Sequence, residues 1–210
     1  MEVYIIGCGG NSKIIIDICL LKGYTISGIF DDTYSGTITE KYCNINLIGN
    51  INDIKKYNDI NIINSIGNNN IRLNIYNELK YLKLNWINCI HPNINISPSA
   101  NIGIGNIICN GVIINSDVKI GNFNLINTYT LIEHDCVIGD FNHLAPRTTL
   151  CGGIKIGNLN LLGASMTAIP NISIGNANTI GCMTGLIKNI DDNNTVVGVP
   201  GKIIKRRNPL

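Results

Sequence analysis

The segment IGIGNIICNGVIINSDVKIG, residues 102–121, carries a period of six that decides the fold of the carboxy-terminal half. Counting in sixes from Ile90 to Leu186 gives seventeen positions, of which sixteen are isoleucine or leucine and one is Ala168. An α-helix repeats every 3.6 residues and an ordinary strand every two, so neither produces this pattern. A parallel β-helix does, because each flat face of its coil uses six residues.

Ile-Gly pairs add a second, longer period. They recur every eighteen residues, at 102–103, 120–121, 138–139, 156–157 and 174–175. Eighteen is three sixes, which predicts a coil with three faces and a glycine at the same corner each time. Residues eighteen apart should then stack at the spacing of paired strands, about 4.8 Å. We expect a triangular prism of roughly five to six coils over residues 88–190, followed by a tail over 191–210.

The first 87 residues follow a different pattern, in which apolar runs alternate with helical segments. Asn11 or Ser12 is the predicted N-cap of the first helix, and Gly23 is its predicted end. Strands that alternate with helices indicate a small parallel α/β sheet, so we expect a Rossmann-like domain over residues 1–87. The predicted strands are 3–7, 24–30 and 60–67, and the predicted helices are 11–23, 51–57 and 70–82.

Composition narrows the class of protein. The net charge is only +2 and 14% of residues are charged, without the basic stripe of a nucleic-acid-binding protein. There is no secretory signal and no run of eighteen apolar residues, which favours a cytoplasmic protein without a membrane span. The eight cysteines are scattered without a Cys-x-x-Cys motif, as is typical of reduced thiols in such a compartment.

His134, in the stretch IEHDC, is the strongest catalytic candidate. The period of eighteen places it above Ser116 and below Gly152, whereas His143 lies half a coil further on and therefore on the opposite side of the prism. The two histidines can serve one site only if that site lies between two subunits. His134 suits a general base, because imidazole titrates near neutral pH. Two alternatives are a structural histidine bonded to the backbone and a zinc site that includes His91.

Several motifs resemble the hexapeptide-repeat sugar acetyltransferases, whose β-helix is left-handed. The resemblance is strongest to enzymes that acetylate the 4-amino group of nucleotide-linked sugars and to the sialic acid O-acetyltransferase group. It covers nearly the whole chain. The motifs are IIGCGGNSK (5–13), SIGNNNIR (65–72), NTYTLIEHDCVIGDFNHLAP (127–146) and VVGVPGK (196–202).

The resemblance implies roles for residues of the prism. His134 corresponds to the catalytic base and Asp135 to its supporting acid. Gly152 would offer its N–H to the thioester carbonyl. The remaining assignments are Asn127 and Glu133 near the sugar, His143 near the acetyl group, Ala164 and Cys182 along the pantetheine arm of acetyl-CoA, and Lys202, Lys205, Arg206 and Arg207 at the phosphates of coenzyme A.

The loop GCGGNSK, residues 7–13, follows a strand and opens a helix, an arrangement that presents backbone N–H groups to phosphate. It departs from Gly-x-Gly-x-x-Gly because position 12 is serine, so a nucleotide sugar fits better than a dinucleotide. By resemblance, the nucleotide-sugar contacts fall on Gly9, Gly10, Asn11, Asp31, Asp32, Gly67 and Asn68. Relatives often have histidine in place of Asn11 and glycine in place of Arg147.

We therefore expect an acetyl-CoA-dependent N-acetyltransferase for a UDP-linked 4-amino-4,6-dideoxy hexose, such as UDP-4-amino-4,6-dideoxyglucose. The resemblance implies direct transfer in a homotrimer, without a metal. Cys136 and Cys151 lie near the site, but Cys136 occupies a core-facing position and is not expected to be a nucleophile. The alternatives are sugar O-acetylation of the sialic-acid type, a zinc-binding β-helix of the carbonic anhydrase kind, and a non-catalytic scaffold that binds sugar nucleotides.

Overall fold

A computed structural model describes residues 1–37 and 40–206 of the chain. The chain divides into two compact units, Met1–Pro92 and a second that begins at Asn93. Arg207, assigned above to the coenzyme A phosphates, lies outside the described residues. Within those two ranges, no helix has the length and apolar character needed to cross a membrane.

The first unit is the expected α/β sheet, with strand order β3-β4-β2-β1-β5-β6. All neighbouring strands are parallel except β3 and β4, which form an antiparallel hairpin. The elements are β1 (Glu2–Ile6), α1 (Gly10–Leu21), β2 (Thr25–Phe30), β3 (Lys41–Tyr42), β4 (Ile45–Gly49), a 3₁₀-helix (Ile51–Lys56), β5 (Asn61–Asn64), α2 (Asn69–Leu79), β6 (Asn85–Trp86) and β7 (Cys89–Ile90).

The ends of α1 differ in how well the sequence predicts them. Gly23 adopts a left-handed conformation, φ +67°, just after the helix, as its predicted role requires. The predicted N-cap was wrong, because Gly9 is the N-cap and the helix begins at Gly10. Ser12 is instead buried, where its hydroxyl donates to the carbonyl of Gly7 and hydrogen-bonds Ser65 at 2.7 Å. These bonds use the hydroxyl that would have capped the helix.

The second unit is a parallel β-helix with three stacks of short strands. Because each turn of the chain visits the three stacks in order, the prism has three faces. The first stack contains Ile107–Ile108, Leu125–Ile126, His143–Leu144, Leu161–Leu162, Thr179–Ile180 and Asn194–Val197; the second, Asn95–Ile96, Ile113–Ile114, Leu131–Ile132, Thr149–Leu150, Thr167–Ala168 and Gly185–Leu186; the third, Asn101–Ile102, Lys119–Ile120, Val137–Ile138, Lys155–Ile156 and Ser173–Ile174.

The register of the stacks follows the sequence period. Leu125 pairs with His143, and His143 with Leu161, each partner eighteen residues away. From Ile108 to Leu186, the residue at each sixfold position is buried in the core, and Ala168 is as fully buried there as its larger counterparts. The chain thus folds into a Rossmann-like domain followed in sequence by a left-handed β-helix, as predicted. At its end, Lys202–Arg206 pairs antiparallel with Asn194–Val197.

The corners of the prism explain two features of the repeat. A Cβ on Gly121 would lie 2.8 Å from the carbonyl oxygen of Gly139 in the next coil, so the Ile-Gly corner excludes side chains. One residue in every six also takes a positive φ, and Arg147 occupies such a position at φ +60°. Glycine adopts this conformation most readily, and it occupies three of these positions, Gly105, Gly111 and Gly153.

One corner also carries a buried ladder of asparagine side chains, which sequence patterning missed. Each side-chain oxygen accepts a hydrogen bond from the asparagine in the next coil, as when the Asn142 side-chain amide donates to the Asn124 oxygen at 3.1 Å. The Asn142 amide also donates to the carbonyl of Gly157 at 2.9 Å. The ladder therefore satisfies backbone groups that the tight corner would leave unpaired. Its members are Asn106, Asn124, Asn142, Asn160 and Asn178.

Candidate active site

His134 lies on the corner that joins the second and third stacks. Its Nδ1 is 2.8 Å from the carboxylate Oδ2 of Asp135, and both side chains are about two-thirds exposed. In a strand, neighbouring side chains point to opposite faces. Here Asp135 has a left-handed backbone, φ +61°, and the corner bends its carboxylate back beside the preceding ring. The pair therefore depends on the corner geometry.

The surroundings of His134 favour its charged form. The hydrogen bond with Asp135 is the main cause of the raised pKa of His134; burial opposes it, and the charges of Asp135 and Glu133 add to it. The Glu133 carboxylate is in turn held by the side-chain amide of Asn115, which donates to it at 2.8 Å. Asn115 lies eighteen residues before Glu133, so the stacking period was the signal that would have identified it.

The coil above His134 is shaped around its ring. A Cβ on Gly152 would lie 2.6 Å from both Cε1 and Nε2 of the imidazole. The N–H of Gly153 donates to the carbonyl of His134 at 2.9 Å, and the N–H of Asp135 donates to that of Ser116 at 3.0 Å. The predicted stack of Ser116, His134 and Gly152 is therefore correct. The N–H of Gly152 makes no hydrogen bond within the described ranges and can serve a ligand oxygen.

His143 occupies the first stack, between Leu125 and Leu161. That face lies across the prism from the corner of His134, as the half-coil separation predicts. One chain therefore does not bring these two histidines together. Among residues 1–37 and 40–206, no three histidine, cysteine or acidic side chains are grouped as metal ligands would be.

The residues assigned to acetyl-CoA by resemblance are spread along the prism. Ala164 and Cys182 do stack, because the N–H of Met183 donates to the carbonyl of Ala164 at 2.8 Å. Lys202 is exposed on the final antiparallel strand, together with Lys205 and Arg206. The stacked Ala164 and Cys182 suit an extended arm along the corner between the first and second stacks, and the contacts with coenzyme A remain a prediction.

Asn127 is almost buried, at 7% exposure. Its side-chain oxygen accepts hydrogen bonds from the backbone N–H and the hydroxyl of Thr128, at 2.8 and 3.2 Å. These bonds fix the orientation of the amide, so that its NH₂ group points away from Thr128. The expected contact with the sugar thus remains a prediction, for which the NH₂ group is the suitable donor.

Cys136 is a buried side chain of the hydrophobic core. The side chain is fully buried and its thiol donates to the carbonyl of Cys151 at 3.2 Å. Burial raises the pKa of Cys136, which keeps the thiol protonated near neutral pH. This environment is the opposite of that required for a cysteine nucleophile.

In the first unit, the loop before α1 presents an open helix N-terminus. Gly9 makes no side-chain cap, and a Cβ at Gly9 or Gly10 would meet no atom within 4 Å. The hydroxyl of Tyr42, on the β3–β4 hairpin, donates to the carbonyl of Gly9 at 2.8 Å. The hairpin was not predicted. Its turn uses left-handed Cys43 and Asn44, a geometry that apolar periodicity does not report.

Asp31 and Asp32, which follow β2, accept hydrogen bonds from backbone N–H groups of the neighbouring loops. Asp31 accepts hydrogen bonds from the N–H of Cys8 at 2.8 Å and from the N–H of Thr33 at 2.9 Å. Burial alone would raise the pKa of Asp31, but the bonds from Thr33 and Cys8 outweigh it and lower the pKa. Asp32 accepts from the N–H of Ile51 at 3.1 Å. Both acids thus have structural contacts, and their predicted contact with base or ribose remains a prediction.

A second loop, between β5 and α2, adjoins the first. The side-chain amide of Asn11 lies where a Cβ on Gly67 would be, so a side chain at position 67 would displace that amide. Asn68 is the N-cap of α2, and its side-chain oxygen accepts from the N–H groups of Asn70 and Ile71 at 3.0 and 3.1 Å. The structure therefore gives Asn68 a capping role beside the predicted contact with the nucleotide sugar.

Comparison with known proteins agrees with the fold of the chain. The model of the PglD N-terminal domain matches residues 2–79. A mutant of perosamine N-acetyltransferase from Caulobacter crescentus, in complex with CoA and GDP-perosamine, is 28% identical with a TM-score of 0.91, over 98% of this chain and 97% of that one. The acetyltransferase domain of PglB from Neisseria gonorrhoeae, in complex with acetyl coenzyme A, is 26% identical with a TM-score of 0.89, over 97% and 98% of the two chains.

Two further proteins match this chain, one in its fold and the other over about half of the chain. WeeI from Acinetobacter baumannii shares the fold at 23% identity and a TM-score of 0.86, over 97% of this chain and 100% of that one. The uncharacterized protein L142 of Acanthamoeba polyphaga mimivirus is 41% identical over 108 residues, which are 51% of this chain and 21% of that protein. The match thus spans about a fifth of the length of that curated relative.

In chain order, an α/β domain with an open loop before α1 precedes a β-helix that carries the exposed His134–Asp135 pair. Over 97–98% of its length the chain is similar to acetyltransferases that were solved with CoA or acetyl coenzyme A, and its residues 2–79 match the PglD N-terminal domain.

Proposed function

We propose that the chain transfers the acetyl group of acetyl-CoA to the 4-amino group of a UDP-linked 4-amino-4,6-dideoxy hexose. The observation that carries this proposal is the exposed imidazole of His134, held by Asp135 at 2.8 Å with Gly152 stacked on the ring. A base, its orienting acid and a backbone N–H donor are the groups that acyl transfer to an amine requires.

In the proposed reaction, the Nδ1–H of His134 donates to the Asp135 carboxylate, which leaves Nε2 as the proton acceptor. The neutral sugar amine attacks the thioester carbonyl carbon, a C–N bond forms, and Nε2 takes one proton from the nitrogen. The N–H of Gly152 stabilises the negative oxygen that develops. The C–S bond then breaks, and the coenzyme A thiolate leaves and receives the proton from the imidazolium or from solvent. No covalent acyl-enzyme forms.

We assign the nucleotide diphosphate to the loops of the first unit. The uncapped N-terminus of α1, at Gly9 and Gly10, offers backbone N–H groups and the positive end of the helix dipole. Among the compared structures, perosamine N-acetyltransferase was solved with GDP-perosamine. GDP-perosamine is therefore the first competitor to the UDP-linked acceptor, and the two belong in the same assay.

We further propose a homotrimer with active sites between subunits. His134 and His143 lie on opposite sides of one prism, so a shared site needs His134 from one subunit and His143 from the next. Co-expression of His134→Ala and His143→Ala chains tests this arrangement. If the subunits mix randomly, about a quarter of the interfaces contain both histidines. The mixed sample should therefore recover about a quarter of the wild-type activity. Activity no greater than that of either single variant would count against shared sites.

Thiol release from acetyl-CoA tests the proposed function, with UDP-4-amino-4,6-dideoxyglucose, its galactose counterpart, GDP-perosamine and free sialic acid as acceptors. We expect turnover on a nucleotide-linked amino sugar and its loss in His134→Ala. Turnover on sialic acid alone would favour O-acetylation. Equal turnover in wild type and His134→Ala would refute the role of the base. Since acetyl-CoA and the nucleotide sugar are the proposed substrates, we place the reaction in the cytoplasm.

A further inference from the structure

Arg72, in the first turn of α2, is a charged side chain in the interior of the first unit. It is only 1% exposed. One guanidinium nitrogen, Nη1, donates to the carbonyl oxygens of Ile66 and Gly67 at 2.8 and 3.2 Å. The other, Nη2, donates to the side-chain oxygen of Asn69 at 2.8 Å. Arg72 thus binds Ile66 and Gly67 in the loop between β5 and α2, together with Asn69, the first residue of α2.

Burial of a guanidinium group is costly unless its hydrogen bonds are satisfied. Burial lowers the pKa of Arg72 to about 10, which still leaves the group charged at neutral pH. An apolar residue would fill the same space without that cost. The planar guanidinium group of Arg72 has several N–H donors and can hold three acceptors at once. We therefore infer that Arg72 is present because the loop needs a fixed conformation.

The conformation that Arg72 fixes has a consequence for the backbone donors of the loop. In a planar trans peptide, the C=O and the following N–H point in opposite directions. Since the carbonyls of Ile66 and Gly67 point inward to the guanidinium, the N–H groups of Gly67 and Asn68 point away from it. In the parts of the chain that the structure describes, neither N–H donates a hydrogen bond.

These two N–H groups lie beside the loop that opens α1. The amide of Asn11 contacts Gly67 so closely that a Cβ there would clash with it. The hydroxyls of Ser12 and Ser65 join the same two loops at 2.7 Å. Two neighbouring N–H groups that face outward form a concave donor surface of the kind that binds anions.

We propose that Arg72 is a positioning residue that orients the N–H groups of Gly67 and Asn68 towards the diphosphate of the nucleotide sugar. This inference rests on the proposed function for the identity of the sugar substrate. It assigns the loop between β5 and α2, beside the open N-terminus of α1, as a second donor surface for phosphate. Arg72 itself stays buried and contacts no substrate.

Steady-state kinetics of Arg72→Met and Arg72→Lys test this role, with whichever of UDP-4-amino-4,6-dideoxyglucose and GDP-perosamine the wild type turns over. In Arg72→Met we expect the KM for the nucleotide sugar to rise about tenfold, with kcat and the KM for acetyl-CoA within about twofold of wild type. Arg72→Lys, which keeps the charge and most of the packing, should recover part of this loss. If Arg72 were needed only for folding, Arg72→Met would lower kcat, and it would lower kcat/KM for the nucleotide sugar and for acetyl-CoA together.

Lys80→Met is the matched control, because Lys80 follows the opposite end of the same helix and is exposed. It should leave both KM values unchanged. If Arg72→Met does not fold, Arg72→Lys carries the test alone, and a wild-type KM for the nucleotide sugar in that variant overturns the proposal. So does a folded Arg72→Met with a wild-type KM.

Titration with UDP and GDP separates this inference from the proposed function. If the wild type turns over neither amino sugar, the proposed function fails, but binding of UDP or GDP still reports on the phosphate loops. We then expect about tenfold weaker binding of the nucleotide in Arg72→Met. Equal affinity in wild type and variant, or no binding of either nucleotide by the wild type, overturns the role of Arg72.

Discussion

Gly152 is stacked on the imidazole of His134 so closely that a Cβ at position 152 would lie 2.6 Å from both Cε1 and Nε2 of the ring. Real Cβ atoms do not approach other atoms to this distance, so either the ring or the backbone would have to move. The glycine therefore sets the position of the proposed base as well as offering its N–H group. The two roles make Gly152 a sensitive point of the site.

Gly152→Ala should lower kcat by about 100-fold or more, because the methyl group displaces the base and disturbs the proposed oxyanion donor. Binding of the nucleotide to the first unit should be unchanged, since Gly152 belongs to the second. Thiol release and titration with UDP or GDP measure the two effects. Gly185→Ala is the control, because its Cβ would meet the nearest atom, on Val199, at an ordinary 3.4 Å. Wild-type kcat in Gly152→Ala would remove the proposed role of this glycine.

Asp135→Asn should shift the pH dependence of kcat/KM. The hydrogen bond with Asp135 raises the pKa of His134, so the rate in the wild type should fall on the acid side at a pH above the usual value of about 6.5. Loss of the carboxylate lowers that pKa, and the acid limb should move to lower pH. The plateau rate should also fall by about tenfold or more, because the ring loses the group that fixes its tautomer.

The control for this substitution is Asp117→Asn. Asp117 lies one coil below Asp135 and has nearly the same backbone conformation, φ +60° against +61°. Asparagine tolerates that conformation, so both variants keep the corner. Asp117→Asn should have the wild-type profile, and an unmoved acid limb in Asp135→Asn would show that another group controls the rate.

Asn142→Ala should destabilise the β-helix by about 2 to 4 kcal/mol. The side chain is fully buried, and its loss removes the donor to the carbonyl of Gly157 and the acceptor of the backbone N–H of Asn160. Urea unfolding at a single protein concentration measures the change. The exposed Asn95→Ala should stay within about 0.5 kcal/mol of wild type. A similar small change in Asn142→Ala would mean that water replaces the ladder at no cost.

Cys151→Ala should retain the wild-type rate, and no acetylated protein should accumulate during turnover. The proposed transfer is direct, and the neighbouring Cys136 is a buried thiol whose pKa is raised. Intact-protein mass spectrometry after mixing with acetyl-CoA, together with the rate of thiol release, provides the measurement. An added acetyl group on the wild-type chain that is absent from the variant would replace direct transfer with a covalent mechanism.

Most of the second unit was predictable, because a β-helix is a local repeat. Each Ile or Leu of the sixfold series forms the second residue of a strand, and the stacking of Ser116, His134 and Gly152 follows from counting. The contact between His134 and Asp135 was expected only from the resemblance, since it requires the left-handed corner at position 135. The link from Asn115 to Glu133 was missed, although it obeys the same period.

The first unit was predictable in its order of elements and less so at its loops. The strands and helices appear where apolar periodicity places them. The N-cap of α1, however, is Gly9, because the hydroxyl of Ser12 donates to the carbonyl of Gly7 and does not cap the helix. The hairpin that carries Tyr42 to Gly9 was not predicted. The contact between Tyr42 and Gly9 joins residues more than thirty positions apart, and no local pattern encodes it.

The sequence by itself determined the prism, its three faces and the side of each histidine, because strand stacking converts a fixed period into a fixed height and direction. It also determined the alternating sheet of the first unit through the burial of its apolar runs. Only the tertiary structure decided which polar groups meet: the guanidinium of Arg72 with the loop carbonyls, Asp31 with Cys8, and Asn142 with its ladder. The physical reason is that hydrogen bonds depend on distance and direction between particular atoms, which only the packed fold defines.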